Sequence, residues 1–431
     1  MWHTGPATVA GRASVFALVV LLAVGSGAVW WPSETGPQDR LPASVSAGAT
    51  GDVSQDTRAA ALVAALEVAW DDRARQAFVA AAGSSTHHRL QSRDWAATVF
   101  RNLRVLHVRD MSLRYVGHST FGVRSSPAAA DAFLAEVAVT WTPSRRSGFA
   151  PHPTSEVTVP LTVADNGQSL AVTGTATGAA ALPVWLAGPL HLRRVGGALC
   201  VGVGDRNHLA LVSRLARRAV DDVAAVVRTS PRVVVVHPQD ARTAAQVLGS
   251  DRTDVARIAA VTTTVDGSDG EGSPVQVVLN PPAFDALGQR GAQVVMTHEV
   301  AHAVTGATTA RMPLWVAEGF ADLVALRGSD VPLQVAAGHF LARVLHRGPP
   351  RALPHAADFA SSAHGLGRTY EAAWLVFRML TERYGDPATV GFYEQVRDGM
   401  PVPRALHQQF GLDPAALLAS WRHYLDRLVD L

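Results

Sequence analysis

The chain contains no lysine. All 38 of its basic residues are arginine, and its one isoleucine is Ile258. A bias towards Arg, Ala, Val and Gly is what GC-rich coding sequence produces, so the use of arginine for lysine carries no functional meaning. A single cysteine, Cys200, excludes an intramolecular disulfide and any zinc site built on two thiolates. Charge is scarce as well: 17% of residues are charged, the formal net charge is +2, and no basic block occurs. Nucleic-acid binding needs clustered positive charge, so no nucleic-acid partner is expected. No G-x-S-x-G is present, which leaves an α/β-hydrolase nucleophile unsupported. Gly202-Val203-Gly204 lacks the third glycine of a dinucleotide fingerprint, because position 207 is Asn. The acidic stretch Asp266–Gly272 lacks the alternating ligands of an EF-hand and reads as an exposed hairpin loop. Apolar residues are abundant. They make up 48% of 431 residues, enough for two or three domains with sizeable cores.

Ala13–Trp31 is an uncharged run of 19 residues, close to the ~20 that a helix needs to cross a bilayer. Arg12 precedes it, and Trp30 and Trp31 close it as interfacial anchors do. Residues 1–31 are therefore expected to be a single-pass anchor in the cell membrane, with the remainder outside the cytoplasm. The alternative is a signal peptide cleaved near Ser26-Gly27-Ala28, followed by secretion; the two tryptophans directly after that site favour the anchor. Residues 32–56 read as a linker rich in Pro, Gly, Ser and Thr.

The exported part divides into two expected domains, 57–204 and 205–431, both α+β. Helices are expected at Arg58–Ala82 and Ser92–Leu103. Strands follow at Met111–Gly117, Ala132–Thr140, Glu156–Ala164, Ser169–Thr177 and Val195–Gly202, read as one antiparallel sheet. Asp165-Asn166-Gly167-Gln168 is a hairpin turn between two of them. This element order resembles the nuclear-transport-factor-2-like domains. In the second domain, a helix at Asn207–Val227 and a helix at Asp240–Leu248 flank a buried strand, Arg232–His237. Strands at Ile258–Val265 and Val275–Asn280 then lead into a mainly helical half.

One segment carries sharp chemistry. His298-Glu299-Val300-Ala301-His302 is H-E-x-x-H, set in a run whose apolar positions have helical spacing. On a helix, residues i and i+4 share a face, so both imidazoles can reach one metal while Glu299 approaches a water beside it. A catalytic zinc takes three protein ligands and keeps a position for water. Fifteen residues separate His302 from Glu318, with Asp322 four residues further on and apolar neighbours on both sides. That spacing lets the first helix end near Gly306 and a second one start. Asp322 is then placed to orient a ligating histidine. Two unpaired carboxylates among Trp315, Val316, Phe320 and Leu323 would be costly to bury, which argues against a mere solvated helix face.

H-E-x-x-H followed by E-x-x-x-D resembles the gluzincins, the thermolysin-like and M1-like zinc metallopeptidases of the peptidase-MA group. The resemblance covers roughly 232–428 and includes a helix Tyr370–Tyr384 closed by Gly385 and a terminal helix pair within Leu406–Leu425. It implies a Zn2+ cofactor held by His298, His302 and Glu318, with Glu299 as general base and Asp322 behind a histidine. It implies a peptide or protein substrate, and by analogy an extended peptide adding to Val275–Leu279 as an edge strand. Tyr370 is the candidate donor to the oxyanion and His364 the next; a core-packing role is the other reading of Tyr370. The M1 exopeptidase motif G-x-M-E-N is absent, and Ala317 stands where thermolysin-type enzymes have Asn, so substrate class stays open. The competing function is a non-catalytic surface-binding or scaffold protein with a structural or relic zinc site.

Overall fold

The computed structural model describes residues 54–430 apart from 84–87, 120–131, 144–153, 177–179, 205, 251–254, 257, 269, 271–272 and 360–364. The expected anchor and nearly all of the linker lie outside the described residues, as does His364. Among the described residues, no helix is long and apolar enough to cross a membrane. The architecture is α+β, with an antiparallel sheet, a mixed sheet and a helical C-terminal half.

The first part opens with α1 (Gln55–Asp71), α2 (Arg75–Ala81) and α3 (Arg89–Val105). Ser54 caps α1 by accepting from the Thr57 N–H. The single helix expected over 58–82 is broken. Arg73 adopts a left-handed backbone (φ 54°), and its guanidinium lies 4.0 Å from the centre of the Trp70 ring. The break turns α2 so that Phe78 is buried with the same core as Trp70 and Phe100. Four strands follow in sequential antiparallel order: β1 (Arg109–Ser119), β2 (Ala132–Thr142), β3 (Ser155–Asp165) and β4 (Leu170–Thr175). The expected turn between β3 and β4 is present. Gly167 has φ 81°, and Asn166 Oδ1 accepts from the N–H groups of Gln168 and Ser169. Arg58 of α1 pairs with Asp165 at 2.8 Å and pins the first helix to this turn.

The second sheet corrects one expectation. Residues 195–202 do not join the first sheet. β5 (Leu190–Val195) and β6 (Ala198–Val203) form an antiparallel pair, and β6 runs parallel to β7 (Val233–His237). With β8 (Ala260–Thr264) and β9 (Val275–Leu279) the order is β5-β6-β7-β9-β8. β7 is parallel to β9, and β8 and β9 form an antiparallel hairpin. So β9, expected at an edge, is internal, and β8 is the edge strand.

Side chains alternate across this sheet and divide between two cores. Ala198, Cys200, Val233, Val235, Val277 and Leu279 face a core shared with the C-terminal helices. Leu199, Val201, Val203, Val234, Val236 and Val278 face the core built by α1–α3 and the first sheet. Burial on both faces is why β6 and β7 read as continuous apolar runs, Ala-Leu-Cys-Val-Gly-Val and Val-Val-Val-Val-His. The N-terminal part therefore does not close on a core of its own: it is completed by the second sheet.

Helix α4 (Leu209–Val227) packs on the helical face of that sheet, and α5 (Ala241–Leu248) is capped by Asp240. The chain after β9 is helical: α6 (Pro281–Asp285), α7 (Gly288–Thr305), α8 (Leu314–Arg327), α9 (Leu333–Ala336), α10 (Gly338–Arg347), α11 (Leu366–Tyr384), α12 (Asp386–Arg397), α13 (Val402–Phe410) and α14 (Pro414–Val429). The Tyr384-Gly385 helix end and the terminal pair α13–α14 stand where expected. Helices α8 and α11 cross closely at Gly319, where a Cβ would lie 2.6 Å from the Ala373 carbonyl oxygen and 2.7 Å from a Phe377 ring carbon. Backbone cannot yield as a flexible side chain does. Gly319→Ala is expected to destabilise the fold by about 1–3 kcal/mol, read as a lower denaturant midpoint.

Candidate metal centre

Helix α7 ends at Gly306, which takes the left-handed conformation (φ 72°) that stops a helix. The chain turns and re-enters a helix after Pro313, so α8 lies against α7 with Glu318 and Asp322 one turn apart on the facing side. His298, Glu299, His302, Glu318 and Asp322 are all buried, none more than 5% exposed.

Three donor atoms converge. His298 Nε2 and His302 Nε2 are 3.0 Å apart, and Glu318 Oε2 is 3.2 Å from the first and 3.3 Å from the second. The two imidazoles meet nearly at right angles (79°), with ring centres 4.7 Å apart. His298 Nδ1 is 2.8 Å from Asp322 Oδ1. A proton on Nδ1 is donated to Asp322, which leaves the Nε2 lone pair pointing at the other two donors. His298, His302 and Glu318 thus form a buried group able to hold a metal ion.

The ionisable groups of the cluster perturb one another strongly. Burial pushes the His298 imidazole towards its neutral form, but Asp322 and Glu318 outweigh this and hold its pKa well above the ordinary value. Burial also pushes the Glu318 carboxyl up, and His302 and His298 override it, holding the pKa at about 2. Asp322 is raised by burial despite its pairing with His298. Glu299 is raised chiefly by burial, against the pull of the two histidines. Two imidazoles and a carboxylate oxygen converging in a buried site are a donor set that suits a divalent cation.

Glu299 is held from the sheet. Thr262 Oγ1, on edge strand β8, lies 2.7 Å from Glu299 Oε2 and 2.9 Å from the Glu299 carbonyl oxygen. Sequence reasoning missed Thr262, which stands in the run Thr262-Thr263-Thr264 with nothing local to single it out. It also missed Thr305, whose Oγ1 is 2.7 Å from the Tyr393 hydroxyl. Tyr393 in turn stacks on Phe320 at 3.9 Å. That contact joins α12 to the end of α7 and to the helix carrying Glu318. Tyr370 is buried near the start of α11, its ring edge-on to Phe359 at 5.3 Å.

Neither a protein-family model nor a curated protein matches this chain. The functional reading accordingly rests on the geometry above and on the sequence motif.

Proposed function

We propose that this protein is a zinc-dependent peptidase of the gluzincin type, acting outside the cytoplasmic membrane. The carrying observation is the set of three mutual donor distances, 3.0, 3.2 and 3.3 Å, among two neutral-capable imidazole nitrogens and a carboxylate oxygen. For ligand bonds of about 2.0–2.1 Å, a tetrahedral ion needs its ligands about 3.3–3.4 Å apart. Two nitrogens and one oxygen are the donor set of a catalytic rather than a closed structural zinc site, since three protein ligands leave a fourth position open.

His298, His302 and Glu318 would hold the ion, which when bound supplies Lewis-acid polarisation of a carbonyl and acidification of water. The protein's own groups supply the rest. Glu299 accepts the proton of the attacking water and returns it to the leaving amine. Thr262 occupies one Glu299 oxygen and leaves the other to face the reacting water. Asp322 keeps His298 in the tautomer that presents Nε2. Tyr370 is the proposed second donor to the oxyanion. Extended substrate would add to β8, the edge strand of its sheet among the described residues, in place of β9. The N-terminal helices and four-stranded antiparallel sheet support the nuclear-transport-factor-2-like reading of that part.

The test is metal analysis combined with cleavage of a broad peptide library by the purified protein. Zinc at the His298 site with chelator-sensitive cleavage supports the reading. Zinc there with no cleavage of any peptide favours the binding or scaffold function. Thr262→Val keeps the shape and removes the hydroxyl. A hydrogen bond to a charged group is worth about 1.5–3 kcal/mol, so kcat should fall roughly ten- to a hundredfold with zinc retained. Thr262→Ser should recover most of the loss.

A further inference from the structure

A second cluster stands away from the H-E-x-x-H centre. His237 ends β7, His208 immediately precedes α4, and Asp285 ends α6. Each offers one donor atom, and the three donors lie within 4.8 Å of one another. His208 Nδ1 is 3.9 Å from Asp285 Oδ2, and the His208 and His237 rings are nearly parallel (8°) with centres 5.7 Å apart. We propose that His208, His237 and Asp285 form a second divalent-metal site that takes a zinc-class ion and clasps the carboxyl ends of the parallel strands.

The position supports a ligand. β6 and β7 are adjacent and parallel, with Gly202 opposite His237, and the chain leaving β6 reaches His208 within five residues of Val203. Open sheets with parallel strands bind ligands just beyond their strands' carboxyl ends, where loops from neighbouring strands converge. The site is also distinct from the first. The two groups share no residue, and the ligands of the first lie on α7 and α8 while none of the second does.

The chemistry selects the ion. Two imidazoles and one carboxylate suit zinc, cobalt or nickel, whereas calcium and magnesium prefer all-oxygen sets. Bonds of about 2.1 Å need donors about 3.4 Å apart, so the cluster must close by about 1.4 Å at most. The exposed partners are on the outside: the His208 side chain is 51% exposed and that of Asp285 43%. The fixed partner is inside, since His237 is 6% exposed at the end of a strand buried on both faces. The two surface side chains would close the site by turning onto the anchored histidine. Because the ligands come from three separate elements, the ion would bind only the folded chain and so stabilise it.

The experiment is a Zn2+ and Co2+ titration of the chelator-stripped full chain, with melting temperature as a second readout. The wild type is expected to take up two equivalents. His208→Ala and Asp285→Asn should each take up one and lose part of the metal-dependent rise in melting temperature, while melting like the wild type in chelator. His298→Ala should also bind one equivalent, and the double variant His208→Ala/His298→Ala none. A second equivalent that survives both surface substitutions, or a wild type that binds one ion removed by His298→Ala alone, overturns the proposal. Loss of one equivalent in His208→Ala with none lost in His298→Ala would uphold this site and sink the gluzincin reading. The two ideas therefore fail separately.

Discussion

Glu299→Gln is expected to abolish peptide hydrolysis while leaving zinc and fold in place. Gln matches Glu in size and can still accept the Thr262 hydroxyl bond, but it cannot take a proton from water. General acid–base catalysis contributes about 10²–10⁴-fold, so kcat should drop by at least that order. The substitution also removes a carboxyl that burial already pushes towards its neutral form, so stability should not suffer. Single-turnover assays with metal content measured on the same sample check this. Cleavage near the wild-type rate by a zinc-loaded Gln variant would show that another group is the base. Tyr370→Phe should be milder, since removing one oxyanion donor costs on the order of 10²–10³ and the ion's contribution persists.

His298→Ala and Glu318→Ala should produce a different defect, the loss of one equivalent of zinc and of all activity together. Each removes one of three donors lying 3.0–3.3 Å apart. His298→Ala also strands Asp322, whose 2.8 Å contact to Nδ1 disappears and leaves a buried carboxyl without its partner. Breaking a buried pair in this way costs about 3–5 kcal/mol, so this variant should melt earlier than the wild type. Equilibrium dialysis with elemental analysis separates them from Glu299→Gln: low metal for the ligand variants, full metal for the base variant. Full zinc occupancy in His298→Ala at the motif site would remove His298 from the ligand set.

The shared core bears on how such experiments are built. Val234 and Val236 of β7 face the N-terminal core, while Val233 and Val235 face the helices that carry the candidate metal centre. Cutting the chain at residue 204 would strip β5 and β6 from the sheet and expose one whole face of the remaining strands. Activity of an isolated C-terminal half is thus no test of which part carries the function. Point substitutions in the whole chain are.

The site residues could be read from sequence because each depends on local periodicity. His298 and His302 share a face at i and i+4, as do Glu318 and Asp322, whatever the rest of the chain does. Gly306 stops the first helix and Pro313 leads into the second, so the spacing between the two motifs already implied a helix–turn–helix. The β3–β4 turn was readable for the same reason, since Asn166-Gly167 demands its own backbone geometry.

Tertiary structure decided what local pattern cannot encode. A run such as Ala198–Val203 is apolar on both faces and gives no sign of its partner, so sequence order alone groups it with the preceding sheet, whereas its parallel mate is β7. Which strand of the β8–β9 hairpin lies outermost depends on the insertion of β9 beside β7, some forty residues away in sequence. From that choice follows the placement of Thr262 against Glu299. The meeting of His208, His237 and Asp285, and the crossing of α8 and α11 that only Gly319 allows, have the same origin. Helical spacing reports which side chains share a face of one element; which elements face each other is set by burying both sides of the second sheet at once.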